Sequence, residues 1–176
     1  MPTRYVMKQD LISFGDDFTI KNEDGDELYS VDGKAFTLLR EKLAFKDRAG
    51  TELAFIRERL ISLTPSYEIL RNGEVAAVVK KDLINILRVG FTVDVPGPDD
   101  LEATGSLLDH EYTFKRGSRE VAIVSKKWFR LTDTYGVEIA DGEDPVLILA
   151  SAVVIDMICH ADASKKVKVA PKTQGA

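Results

Sequence analysis

Two histidines, one cysteine and an aspartate inside an apolar run are the residues from which chemistry would first be asked. Asp109-His110-Glu111 sets an imidazole, the side chain that titrates nearest neutral pH, between two carboxylates. Adjacent side chains in an extended segment face opposite ways, so the three cannot converge on one substrate. A polar turn ahead of a strand starting near Tyr112 is the expectation. Cys159-His160 supplies two ligands where a zinc site wants four, and there is no second cysteine. Within an apolar stretch Cys159 is expected to pack inertly, not to act as a nucleophile. His160 suits a helix C-terminus, where a cation answers the helix dipole. No glycine phrase has the spacing of a P-loop or of a dinucleotide fold. No catalytic residue, metal or cofactor is therefore assigned.

Two other features carry more weight. Asp156 interrupts an otherwise apolar segment, and a carboxylate there must be paired, hydrogen-bonded or at a solvated mouth. We expect it to act as a structural lock, holding a helix in register against a Lys, Tyr or Trp of the surrounding wall. The basic pairs Arg57 with Arg59, Lys80-Lys81 and Lys126-Lys127 recur at the end of the second strand in three hairpin-like units. Gathered at one rim, they could hold a phosphorylated headgroup or another anion. Adjacent lysines face opposite sides, so one of each pair at most can share such a pocket.

The elements that must position these residues are written in a repeat of roughly 24 residues. An aromatic or aliphatic start recurs at Phe18, Leu43, Tyr67, Phe91, Tyr112 and Tyr135. Between paired runs stand Asn22-Glu23-Asp24-Gly25, Asp47-Arg48-Ala49-Gly50, Arg71-Asn72-Gly73, Pro96-Gly97-Pro98-Asp99 and Arg116-Gly117-Ser118. Gly and Asn accept the positive φ of tight hairpins, and Pro presets a turn corner. The flanking runs are β-branched and aromatic, among them residues 4–9, 18–21, 52–59, 67–70, 74–81, 91–95, 112–115, 120–127 and 135–139. About 12 strands in an open sheet would leave long unpaired edges, which closure into an antiparallel barrel, or division into two packed sheets, would remove.

After Tyr135 the period changes. Asp144-Pro145 reads as an N-cap followed by proline at the first helical position, opening a helix over about 145–160. Val146 to Ile155 is apolar on every face apart from Ser151, which places the helix inside protein or membrane. Its uninterrupted run is shorter than the roughly 20 residues of a bilayer span, so no transmembrane span is assigned. A barrel of about 12 strands needs a filling, and this helix is the apolar segment that supplies it. The expected fold is mainly β: a closed barrel around a buried C-terminal helix, as one domain over residues 1–162. Residues 163–176 are expected to form a flexible basic tail.

Composition sets the outer limits. Removing Lys165, Lys166, Lys168 and Lys172 from a net charge of −5 leaves a body near −9, a poor general binder of nucleic acid or anionic membrane, so any such binding would need a local basic patch. A single cysteine and a charged N-terminal stretch favour the cytoplasm, with a peripheral place at a membrane as an extension.

Several phrases are also familiar. Val124-Ser-Lys-Lys-Trp-Phe129, Asp133-Thr-Tyr-Gly-Val-Glu-Ile139, Gly142-Glu-Asp144 and Val154-Ile-Asp156 together resemble the LURP-one-related family. Gly15-Asp-Asp-Phe-Thr-Ile20, Val31-Asp-Gly-Lys-Ala-Phe36 and Phe91-Thr-Val-Asp-Val-Pro-Gly-Pro-Asp-Asp100 extend the match over about residues 4–160. The resemblance implies the fold shared with tubby C-terminal domains and phospholipid scramblases, a 12-stranded barrel threaded by a hydrophobic helix. Tubby's phosphoinositide ligands find no matched positions here, and a shared fold does not transfer a site. The functional expectation is a non-enzymatic binding or scaffold module for an anionic lipid headgroup or a protein partner. Its rivals are an enzyme with a small pocket at the barrel mouth and a membrane-attached, scramblase-like protein.

Overall fold

The structure, a computed structural model, describes residues 1–10, 17–33, 42–85, 88–128 and 134–169. Its strands are β1 (Thr3–Asp10), β2 (Asp17–Lys21), β3 (Glu27–Gly33), β4 (Lys42–Asp47), β5 (Glu52–Glu58) and β6 (Ser66–Arg71). They continue with β7 (Glu74–Asn85), β8 (Arg88–Asp94), β9 (Leu101–Ser106), β10 (Glu111–Arg116), β11 (Arg119–Ser125) and β12 (Thr134–Ile139). The helix α1 (Pro145–Val169) follows. Each strand pairs antiparallel with its chain neighbours, and β12 returns to β1 with Thr3 opposite Ile139, closing the barrel.

Period-2 patterning puts alternate residues inside. Phe18 and Ile20, Leu43 and Phe45, Tyr67 and Ile69, Phe91 and Val93, and Tyr112 and Phe114 are all buried. The six repeat starts all prove to be buried residues of even-numbered strands. They form an inward ring near the end where those strands begin. Strands about 4.8 Å apart, tilted by roughly 40°, close into a wall about 25 Å across. Once inward side chains are in place, the remaining column is about as wide as one helix of roughly 10 Å.

The helix fills that column. Every residue from Ile148 to Cys159 is buried, Ser151 and Asp156 included. Ser151 satisfies itself within the helix, its Oγ donating to the Leu147 carbonyl at 2.8 Å. At the N-terminus Asp144 caps as expected, accepting from the Leu147 N–H at 3.2 Å. Two points differ from the sequence reading. The helix continues to Val169, beyond the expected end near residue 160, while 170–176 lie outside the described residues. Pro145–Asp162 is also long and apolar enough to cross a membrane by length and composition. Length is thus no argument against a span; burial inside the barrel is what occupies this helix.

Candidate functional site

The two ends of the barrel are chemically distinct. Where α1 begins, connections are short turns with acids at Glu23, Asp24, Asp26, Asp99, Asp100, Asp141 and Glu143, against Arg48. Two arginine clusters tie these turns to the helix start. Arg71 grips Asp144 bidentately at 2.5 and 2.8 Å. Burial opposes the charged Asp144, yet the Arg71 guanidinium and the Leu147 and Val146 N–H groups hold its carboxyl below the usual value. Glu143 forms ion pairs with Arg116 at 2.7 Å and with Arg119.

At the other end, where α1 leaves, all six sequence-singled cations are found. Arg57 bonds its cross-strand neighbour Glu68 at 2.6 Å, and Arg59 approaches the same carboxylate at 3.6 Å. Lys80 pairs with Asp94 at 2.5 Å, and Lys81 pairs with Asp162 of the helix. Lys127 lies 3.5 Å from Glu111. Lys126 is held through its main chain, its N–H donating to the His110 carbonyl at 3.0 Å. The six share a rim but not a pocket. β5 and β11 stand six places apart in a ring of twelve, on opposite walls, so Arg57 and Lys126 cannot meet one small anion.

Asp109, His110 and Glu111 diverge, as expected of chain neighbours. Asp109 accepts from Ser106 Oγ at 2.5 Å. Glu111 clamps the next connection, accepting from Ser125 Oγ at 3.0 Å and from the Lys126 and Lys127 N–H groups at 3.0 and 2.9 Å. Its burial is outweighed by these donors, and its carboxyl sits below the ordinary value. His110 takes a left-handed φ of 52° and turns inward. Its ring stacks on Tyr135 at 4.4 Å, and its Nε2 meets Oδ1 of Asp156. Asp156 thus finds a histidine, a residue type outside the Lys, Tyr or Trp expected for it.

Around this contact lies a buried polar layer. Burial, then the Lys126 charge, pushes His110 down to about 4 against the opposing pull of Asp109 and Glu111, so its ring is neutral at neutral pH. Burial and the Asp156 charge raise the Tyr112 and Tyr135 phenols well above their ordinary value. The same two causes, in that order, push the Cys159 thiol up to about 12. A thiol held in that form is a poor nucleophile, as the inert-packing reading requires. No group of three or more His, Cys, Asp or Glu able to hold a metal occurs among the described residues.

What sequence reasoning missed is the connection between β5 and β6. Leu60 is half-exposed, Ile61 is 94% exposed and Leu63 is fully exposed. The base of this loop is fixed, Arg59 N–H donating to the Ser66 carbonyl at 2.9 Å and Lys81 N–H to the Pro65 carbonyl at 3.2 Å. Leu108 is exposed at the same rim, in the 3-10 turn Leu107–Asp109. Trp128, by contrast, folds back on the outer wall, where Arg4 lies 5.1 Å over its ring. Elsewhere on the outer face, β5 and the start of the β6–β7 turn border an open hollow of about 380 Å³, lined by Leu53, Phe55, Leu70 and Asn72 among others.

The sequence profile of the family described as LURP-one-related matches residues 3–156. This chain belongs to the LURP-one-related family. One relative is the uncharacterized protein YxjI of Bacillus subtilis (strain 168), 32% identical over 161 residues and covering 92% of this chain and 96% of the relative. Among solved structures, the X-ray structure of an Arabidopsis thaliana protein superposes with a TM-score of 0.66 at 20% identity. That likeness covers 89% of this chain and 92% of the plant protein, and at such identity it speaks for the fold alone. The LURP-one-related barrel described here thus has a sequence relative in a bacterium and a structural counterpart in a plant.

Proposed function

We propose that this LURP-one-related protein is a non-enzymatic binding module, working in the cytoplasm, that docks through the rim where α1 leaves the barrel. The observation that carries this reading is the β5–β6 loop: aliphatic side chains held in water on a base fixed by main-chain hydrogen bonds. Folding gains nothing from exposing Ile61 and Leu63, so a surface that keeps them there is explained by something that covers them. An enzyme at the barrel mouth is the weaker reading. The helix fills the interior, the Cys159 thiol is held protonated, and His110 spends its Nε2 on Asp156.

Photo-crosslinking in cells tests it. A benzophenone side chain at Ile61 is expected to give discrete adducts, whereas one at Asn72 in the opposite turn gives none. Equal labelling from both positions, or none from Ile61, sinks the reading.

A further inference from the structure

The rim has a second component beside the apolar loop. Lys81 joins them: its N–H bonds the Pro65 carbonyl at the base of the loop, and its ammonium pairs with Asp162 on α1. The helix therefore leaves the barrel next to Leu60–Leu63. From there its backbone runs on to Val169, and that last stretch carries Lys165, Lys166 and Lys168 with no acid after Asp162. Aliphatic residues on a fixed loop and a lysine-bearing helical extension thus stand side by side at one end. The opposite end carries the acidic turns, so the molecule is electrically polar along the barrel axis.

We propose that this end docks on an anionic membrane surface, with Leu60, Ile61 and Leu63 entering the interfacial layer and the lysine segment meeting the headgroups. The proposal rests on the reading of this rim as the docking surface and names its partner. Charge complementarity chooses the bilayer. Binding of a peripheral element grows with the apolar area it buries plus the attraction of Lys and Arg for anionic lipid. The cores of protein interfaces instead favour Trp, Tyr, Met and Arg, and this loop tip has none of them. Polarity also fixes orientation, because an anionic surface attracts the lysine end and repels the acidic turns.

Vesicle sedimentation with the full chain tests the proposal. The probes are phosphatidylcholine alone and phosphatidylcholine with about 30 mol% phosphatidylserine, at about 0.1 M salt. Wild type is expected to bind the anionic vesicles roughly tenfold or more above the neutral ones. A double variant, Ile61→Asp with Leu63→Asp, and a triple variant, Lys165→Glu with Lys166→Glu and Lys168→Glu, should each lose about tenfold. Because Ile61 and Leu63 are exposed, the double variant should keep the wild-type unfolding midpoint, which separates lost docking from lost fold. Absence of wild-type binding, equal binding to both vesicle types, or undiminished binding by either variant overturns the proposal. If vesicles fail while crosslinks at Ile61 go to a protein, membrane docking falls and the binding-module reading stands. If both fail, both fall.

Discussion

At the end of the barrel where α1 begins, three arginines pair with Asp144 and Glu143 and fasten the helix among turns that are otherwise acidic. At the end where it leaves, the helix is held by His110 on Asp156 and Lys81 on Asp162, and the neighbouring loop turns aliphatic residues outward. One end spends its side chains on the fold; the other leaves apolar surface unspent. The same substitution should therefore cost differently at the two ends.

Glycine gives the largest contrast. Gly105, near the rim, has a φ of +141°, and a Cβ there would lie 2.6 Å from the Glu111 carbonyl oxygen and 2.8 Å from Tyr112 Cα. Gly105→Ala is expected to cost about 3 kcal/mol in urea unfolding, because main chain has to move. Gly73, in the opposite turn, has a φ of +82°, and a Cβ there would meet nothing within 4 Å. Gly73→Ala therefore incurs backbone strain alone, about 1 kcal/mol. Similar costs at the two sites would break the contrast.

Next comes pH. His110 has an ordinary value of 6.5 and a folded value of about 4. Between these the unfolded chain binds the extra proton, so the His110 contribution is fully present above pH 6.5, falls with pH, and is gone below about 4. The wild type minus His110→Gln difference in unfolding free energy should change by up to about 2 kcal/mol over that window, after allowance for partial exposure. A flat difference would detach the rim lock from His110. The smallest contrast is at the helix start. Asp144→Ala loses both the cap and the Arg71 pair and should cost about 1.5 kcal/mol. Asp144→Asn keeps the cap and should cost about half as much by thermal or urea unfolding.

The turns and the helix start were legible because each is a local physical demand. Asn72 and Gly73 take positive φ, as do Gly25, Gly50, Gly97 and Gly117, and Asp144 caps three residues along. The repeat starts were legible as a ring, since period-2 burial makes each of them inward. The rim was less legible. That Arg57 and Lys126 oppose one another depends on the circular strand order, which no spacing encodes. His110 as the partner of Asp156 joins residues 46 apart in the chain. The loop at 60–63 escaped notice because Leu and Ile in a sequence look like core, and their exposure is a property of where the chain turns.

The order of these elements along the chain has a consequence for how the protein is made. The strand that closes the ring, β12, pairs with β1, and the helix that fills it comes later still. During synthesis the inward faces of β2 to β11 have neither a sealed wall nor a filling, and their closing contacts are among the most distant in sequence. The nascent chain is a sheet with open edges and a bare apolar face until α1 has emerged and entered the ring, so its demand on chaperones is greatest before that helix docks.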